Sequence, residues 1–354
     1  MKQTSFILAC LLALVASCTS ESETVTDENV LTIVDQVNLT PAQELESLNK
    51  VIRENAQSPN GYHRRHLFYI EQGEYQLARE DLNICINMSP ETAVYYFEKA
   101  KLCYNLGEID NSEVHAEKTL ELDSTYKDAH VLLGRIYLAI PNFGMALDEF
   151  NAALRLDKNF AEPYFYKGMT YAIAGDTTKA VSSFVTATEQ YSEYYEAYIE
   201  LGLIYAQHSG EDRKLADQYF DNALEIKPNS IEALLAKGIS SQDNGDYVMA
   251  DSCYKLVLNV DPMFEVAYYN MGYVHLLSYR DDAPKEYNDS IIILALEDFS
   301  SAIEINDLYV TAYYNRGLCY SLIDDVNSAK VDYATAVKLE PSFAMAQEAL
   351  NSLK

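Results

Sequence analysis

The chain has 354 residues, 49% of them hydrophobic, enough to bury a sizeable core or to run as an extended repeat array. Its 54 Asp and Glu against 26 Lys and Arg give a formal net charge of −28, which repels phosphate backbones and argues against nucleic acid as a partner. Only 13 Gly and 9 Pro leave few turns.

The chain opens with Lys2 and the apolar run FILACLLALV from Phe6, which is too short to span a bilayer and reads as a targeting segment over residues 1–17. The run ends in Val15-Ala16-Ser17-Cys18, which resembles the lipobox of bacterial lipoproteins, where the cysteine becomes the lipidated first residue of the mature chain. That resemblance implies acylation of Cys18 and a lipid anchor in the membrane of a bacterial cell envelope. A secretory peptide with a coincidental cysteine is the alternative. Thr19 is not the aspartate of an inner-membrane retention signal, which favours the outer membrane, and the acidic TSESE resembles signals for export to the cell surface. Whether the domain faces the periplasm or the surface stays open. Residues 18–41 are rich in Ser, Thr and Glu without a sustained period, the composition of a flexible tether after the lipidated cysteine.

Over residues 42–58, Leu45, Leu48 and Val51 or Ile52 suggest one helix of a half repeat. Beyond it, aligning on a small residue gives GRIYLA at Gly134, GMTYAI at Gly168, GLIYAQ at Gly202 and GISSQD at Gly238, spaced by 34, 34 and 36. The string AYYN-x-G occurs twice, with Gly272 and Gly317 45 residues apart. Such a period marks a solenoid, in which each unit cannot bury its apolar face alone. Within residues 127–160, Leu133, Gly134 and Tyr137 share a helical face, PNFG breaks the helix, and Ala146, Phe150 and Ala153 recur at helical offsets. The expected unit is a helical hairpin with small residues where its helices touch.

These units resemble the tetratricopeptide repeat, which wants an aromatic at unit position 4, Leu-Gly/Ala at 7 and 8, Tyr at 11, Ala at 20, Phe/Tyr at 24, Ala at 27 and Pro at 32. Residues 310–343 match with Tyr313, Gly317, Tyr320, Ala329, Tyr333, Ala336 and Pro341, and residues 161–194 with Tyr164, Gly168, Tyr171, Ala180, Phe184 and Ala187. Residues 195–230 match if two extra residues sit in the turn at HSGED; residues 93–126 depart at Ser112, Ala116 and Thr119, and residues 59–92 place His66 at the small position. The resemblance implies an all-α fold: a right-handed α-solenoid of about eight hairpins over 59–343, closed by a C-terminal capping helix at 344–354. The repeat 265–309 carries an insertion of 11 residues near 280–290. Eleven residues make about three helical turns, so the second helix could start early, near Pro284, and keep its face in phase. NDS at 288–290 is poor helix interior, and a projecting loop is the alternative.

In this family the first helices line a concave groove, with positions 2, 5, 9 and 12 pointing inward. Position 5 reads His63, Phe97, Val131, Phe165, Ile199, Leu235, Tyr269 and Tyr314; position 2 includes four consecutive acids, Asp128, Glu162, Glu196 and Glu232. The resemblance therefore nominates Phe97, Asp128, Glu162, Phe165, Glu196, Glu232, Tyr269 and Tyr314 as groove residues. They suit a protein or peptide segment that combines apolar side chains with Lys or Arg. In the other reading, the position-5 side chains merely pack against neighbours and the acids are solvated. The carboxylate-clamp subtype, with Lys at position 5 and Asn at position 9, is absent.

No phosphate-binding glycine loop, HExxH or GxSxG occurs, and nothing nominates an enzyme, a cofactor or a metal. His63 and His66 lack an evident third ligand. Cys85, Cys103, Cys253 and Cys319 lack CxxC spacing and read as buried thiols, with a Cys85–Cys103 bridge as the other option. Asp123-Ser124-Thr125, Asp176-Thr177-Thr178 and Asp289-Ser290-Ile291 resemble an envelope O-glycosylation acceptor, at expected turns or in the insertion. The reading that unites these features is a noncatalytic, lipid-anchored scaffold. The alternatives are a glycan-binding surface lipoprotein, for which 29 Tyr offer stacking platforms, or an accessory subunit of an envelope assembly or secretion complex.

Overall fold

The computed structural model describes residues 39–207 and 211–353, and these form eighteen α-helices with no strand among the described residues. The targeting segment, Cys18, nearly all of the tether and most of the HSGED turn lie outside the described residues. The chain divides into two units, at residue 176.

The first unit holds α1 (Pro41–Glu54), α2 (Pro59–Glu71), α3 (Tyr75–Met88), α4 (Ala93–Asn105), α5 (Ile109–Leu122), α6 (Lys127–Ala139), α7 (Phe143–Leu156) and α8 (Ala161–Ile173). Helix α1 starts inside the expected tether because Thr40 caps it: its hydroxyl accepts from the Gln43 N–H, the Gln43 Oε1 accepts from the Thr40 N–H at 2.9 Å, and Pro41 fits the first turn. The second unit holds α9 (Thr177–Gln190), α10 (Tyr195–Ala206), α11 (Glu211–Ile226), α12 (Ile231–Asp243), α13 (Tyr247–Val260), α14 (Glu265–Leu277), α15 (Lys285–Ile305), α16 (Val310–Leu322), α17 (Val326–Leu339) and α18 (Ala344–Ser352). In each unit consecutive helices pack as antiparallel hairpins, and each hairpin packs on the next. Repeat 161–194 contributes one helix to each unit.

The joint of five hairpins is a glycine under a ring. A Cβ added to Gly134 would lie 2.3 Å from Phe150 Cε1, and the equivalent distances are 2.5 Å for Gly202 under Phe220 and 2.7 Å for Gly317 under Tyr333. The rings are almost fully buried. Where the first position grows, the second shrinks: Ala100 is matched by Ala116, and His66 by Leu82, all buried. At the Ala100–Ala116 pair the Ser112 hydroxyl also donates to the Ala100 carbonyl at 2.8 Å.

A polar staple recurs at unit position 7, where the family pattern has Leu. Arg65, Lys99, Lys167, Lys237 and Arg316 stand there, each bonded to a side chain sixteen residues away on a neighbouring second helix. Arg65 grips Asp81 with a fork of 2.8 and 2.7 Å and reaches Asn49 at 2.6 Å; Arg316 does the same to Asp332 at 2.8 and 2.9 Å and reaches Ser300 at 3.0 Å. Asp81 and Asp332 are buried, so the planar guanidinium supplies both the charge and the hydrogen bonds that their burial demands.

Of the two readings of the insertion, the structure shows the elongated helix: α15 runs 21 residues after an N-cap at Pro284. Asn288, poor helix interior by propensity, is buried and tied to the preceding loop; its Nδ2 donates to the Arg280 carbonyl at 2.7 Å and its Oδ1 accepts from the Arg280 N–H at 3.3 Å. Asp289-Ser290-Ile291 therefore lies within a helix, not in a turn. The four described cysteines are buried and free, with no Cys85–Cys103 bridge, and burial pushes the Cys85 thiol up to about 12.

The joint makes a direct prediction. Gly134→Ala should cost about 1–3 kcal/mol in chemical denaturation, because the methyl meets a ring held on every side. Adding Phe150→Leu should recover part of that loss, as the natural pair His66 and Leu82 already trades size across the same contact.

Candidate partner-binding site

In each unit successive first helices also touch one another: α4 meets α6 and α6 meets α8 in the first unit, and α10 meets α12 and α14 meets α16 in the second. Side chains early in these helices therefore share one face. The position-5 ladder on that face is largely closed. Phe97 (9% exposed), Val131 (2%), Phe165 (3%) and Ile199 (4%) are buried, while Leu235, Tyr269 and Tyr314 are half-buried. This corrects the expected open apolar floor for Phe97 and Phe165.

At three positions an aromatic at the end of the repeat covers the ladder. Phe97 packs on Tyr126 with ring centroids 4.7 Å apart, Tyr269 on Tyr309 at 4.8 Å, and Tyr314 on Phe343 at 5.2 Å. Tyr269 is further held by the Asn315 Nδ2, which donates to its hydroxyl at 3.1 Å. Six of the eight repeats end in such a ring: Tyr126, Phe160, Tyr194, Phe264, Tyr309 and Phe343. Repeat 195–230 ends in Ser230 instead.

The acidic positions differ between the units. In the first, Arg135 lies between the rings of Tyr104 and Tyr166, 4.8 and 5.1 Å from their centroids, with its Nη1 3.9 Å from Glu162 Oε1. Burial raises the Glu162 carboxyl above the usual range, against the pull of Arg135, and Asp128 adds to the rise. Asp128 is half-buried on α6. Arg135 thus offsets the acidic edge expected there.

In the second unit the acids dominate. The Tyr195 hydroxyl donates to Glu232 Oε2 at 3.0 Å and is paired with the Ser230 hydroxyl at 2.6 Å, while Ser230 also caps α12 by accepting from the Ala233 N–H. The Lys227 ammonium sits 3.9 Å from the Tyr195 ring centroid and 3.4 Å from Glu196 Oε1. One helical turn after Glu196 comes Glu200, whose carboxyl is pushed up to about 7 by burial and by the charge of Glu232. Two carboxylates four residues apart repel along a helix, so Glu196 and Glu200 are not explained by α10 alone. Tyr195, Glu200 and Ser230 were not singled out from sequence; the broken run of terminal aromatics at Ser230 was the available signal.

The His63 and His66 rings lie tilted to each other with centroids 4.8 Å apart, and burial lowers His66 to about 3. Among the described residues no group of three or more His, Cys, Asp or Glu side chains is placed to hold a metal ion.

Residues 195–230 and 310–343 match the tetratricopeptide repeat family model. The chain is 26% identical to BBSome complex member BBS4 of Bos taurus, aligning 84% of itself with 62% of that protein. It is 25% identical to Tetratricopeptide repeat protein 6 of Homo sapiens, over 79% of itself and 53% of that protein. The chain thus spans less than two thirds of the length of these relatives. Among solved structures, a tetratricopeptide repeat protein of Parabacteroides merdae superposes with a TM-score of 0.47 at 18% identity, covering 74% of this chain and 98% of that one. PilW, a type IV pilus biogenesis factor, superposes with a TM-score of 0.49 at 19% identity, covering 63% and 98%. Residues 195–230 and 310–343 are thus tetratricopeptide repeats, set in a chain of tandem helical hairpins.

Glu200 sets a pH dependence whose sign is fixed. Its carboxyl titrates at about 7 in the folded chain against a reference of 4.5, so the folded state holds the proton longer and stability falls as pH rises through that window. Glu200→Gln removes the penalty. The variant should exceed the parent by about 1–2 kcal/mol in urea unfolding above neutral pH and converge with it below the reference value. An equal offset at both pH values would contradict the assignment.

Proposed function

We propose that this chain is a noncatalytic interaction scaffold that binds a protein segment on the face of its first helices, held to a bacterial envelope membrane through lipidated Cys18. Tetratricopeptide proteins act as protein-interaction scaffolds, which supports the first part. By their names, the relatives BBSome complex member BBS4 and Anaphase-promoting complex subunit 3 belong to multiprotein assemblies. The single observation that carries the reading is the second-unit cluster of Glu196, Glu200 and Glu232 beside Tyr195, with Lys227 as the cation bonded there. It suits a segment with basic and apolar side chains.

The membrane part rests on Val15-Ala16-Ser17-Cys18 after an apolar run. No helix among the described residues is long and apolar enough to cross a membrane. The outer membrane is favoured by Thr19 after the cysteine.

Photo-crosslinking in the native cell tests both parts. A reactive residue at Glu232, on the first-helix face, should give a discrete protein adduct, while one at Val248, 80% exposed on α13, should not. The same adduct from both positions, or none from Glu232, would overturn the binding face. Cys18→Ala should abolish fatty-acid labelling and release the chain from the membrane fraction; an unchanged fraction would overturn the anchor.

A further inference from the structure

Six repeats end in an aromatic ring, which packs on the position-5 ring at Phe97, Tyr269 and Tyr314, whereas repeat 195–230 ends in Ser230. A shallow depression of about 440 Å³ opens there, lined by Tyr195, Lys227, Pro228, Asn229, Ser230 and Glu232. Its polar groups converge. The Tyr195 hydroxyl ties Ser230 to Glu232, fixing one carboxylate and turning the tyrosine ring face toward the Lys227 ammonium. Glu196 approaches the same ammonium from α10. Glu200 follows Glu196 by one turn on α10, near enough to Glu232 for that charge to raise its carboxyl.

An aromatic face with carboxylates on its rim is the chemistry that recognises an organic cation. Lys227 already occupies it, but loosely: its side chain is 52% exposed, it is bonded to one carboxylate at 3.4 Å, and it arrives on a turn rather than on a helix. One ammonium is paired with Glu196 while Glu232 stays bonded to the Tyr195 hydroxyl, so the seat keeps a second carboxylate when it is filled from within.

We propose that the depression at Tyr195, Ser230 and Glu232, with Glu196 beside Lys227, seats one Arg or Lys side chain of the bound segment, and that Lys227 fills the seat in the free protein. The inference rests on the scaffold reading and adds the chemistry of one contact to it. A guanidinium suits the seat better than an ammonium, since its plane stacks on the Tyr195 ring while its edge donates to two carboxylates. Lys227 is then a competitor that the partner displaces, and its removal strengthens binding instead of weakening it.

The probe is a short peptide of alternating leucine and arginine, compared with its counterpart in which neutral citrulline replaces arginine, titrated calorimetrically into the full chain. The arginine peptide should bind on the order of tenfold more tightly than the citrulline peptide. Joint Glu196→Gln and Glu232→Gln substitution should erase that preference. Joint Glu297→Gln and Glu304→Gln substitution on α15, which changes the net charge equally, should leave it in place and thereby exclude general attraction to an acidic chain. Lys227→Met should tighten arginine-peptide binding about two- to fivefold, with an unchanged thermal midpoint showing that the fold is intact. Equal binding of both peptides, or loss of both, would overturn the seat; so would weaker binding by Lys227→Met, which would make Lys227 part of an anion site. Equal binding with a Glu232-specific crosslink would leave the scaffold reading standing and remove only this inference.

Discussion

Five of the hairpins depend on how closely a glycine lets their two helices approach. A ring at unit position 24 enters the space that a side chain at position 8 would fill, as Phe150 does at Gly134 and Tyr333 at Gly317. The contact buries a large apolar surface for one missing methyl group, and it leaves no room for slippage along the helices. Because that joint is apolar and closed, the charged residues are free to do other work. Some become staples between neighbouring helices, as Arg65 and Arg316 do on buried aspartates. Others gather on the first-helix face.

The hairpins and the small-residue contacts were legible because they repeat at a period that spacing alone reveals. Helix α16 and its Gly317–Tyr333 joint sit where the string VTAYYNRGLCYSL placed them. The insertion was readable only to two alternatives, since propensity at Asn288 opposed the phase argument for a longer helix. Tertiary contact decided it: the Asn288 side chain is buried and bonded to the Arg280 backbone, a use of asparagine that no local rule contains.

The site was less legible. Position 5 was correctly seen as apolar and aromatic, but whether such a ladder is open or covered depends on what lies across from it. The terminal rings Tyr126, Tyr309 and Phe343 supply that cover, and they belong to no position of the pattern used to find the repeats. Likewise the row of acids at position 2 looked uniform, although Arg135 approaches Glu162, Lys227 approaches Glu196, and Glu232 accepts from the Tyr195 hydroxyl. Periodicity reports which residues share a face; it does not report which of them are already satisfied.

A binding face of this kind is built from interrupted rules. Terminal rings cover position 5 at Phe97, Tyr269 and Tyr314, and beside Ser230 lies an acidic depression with a tyrosine wall. The most direct test of the account is hydrogen exchange on the full chain, free and in complex with the protein it is crosslinked to in the cell. Added protection should fall on the first turns of α10 and α12, around Glu196 and Glu232, and spare α11 and α13. Protection confined to α11 and α13 would contradict the account.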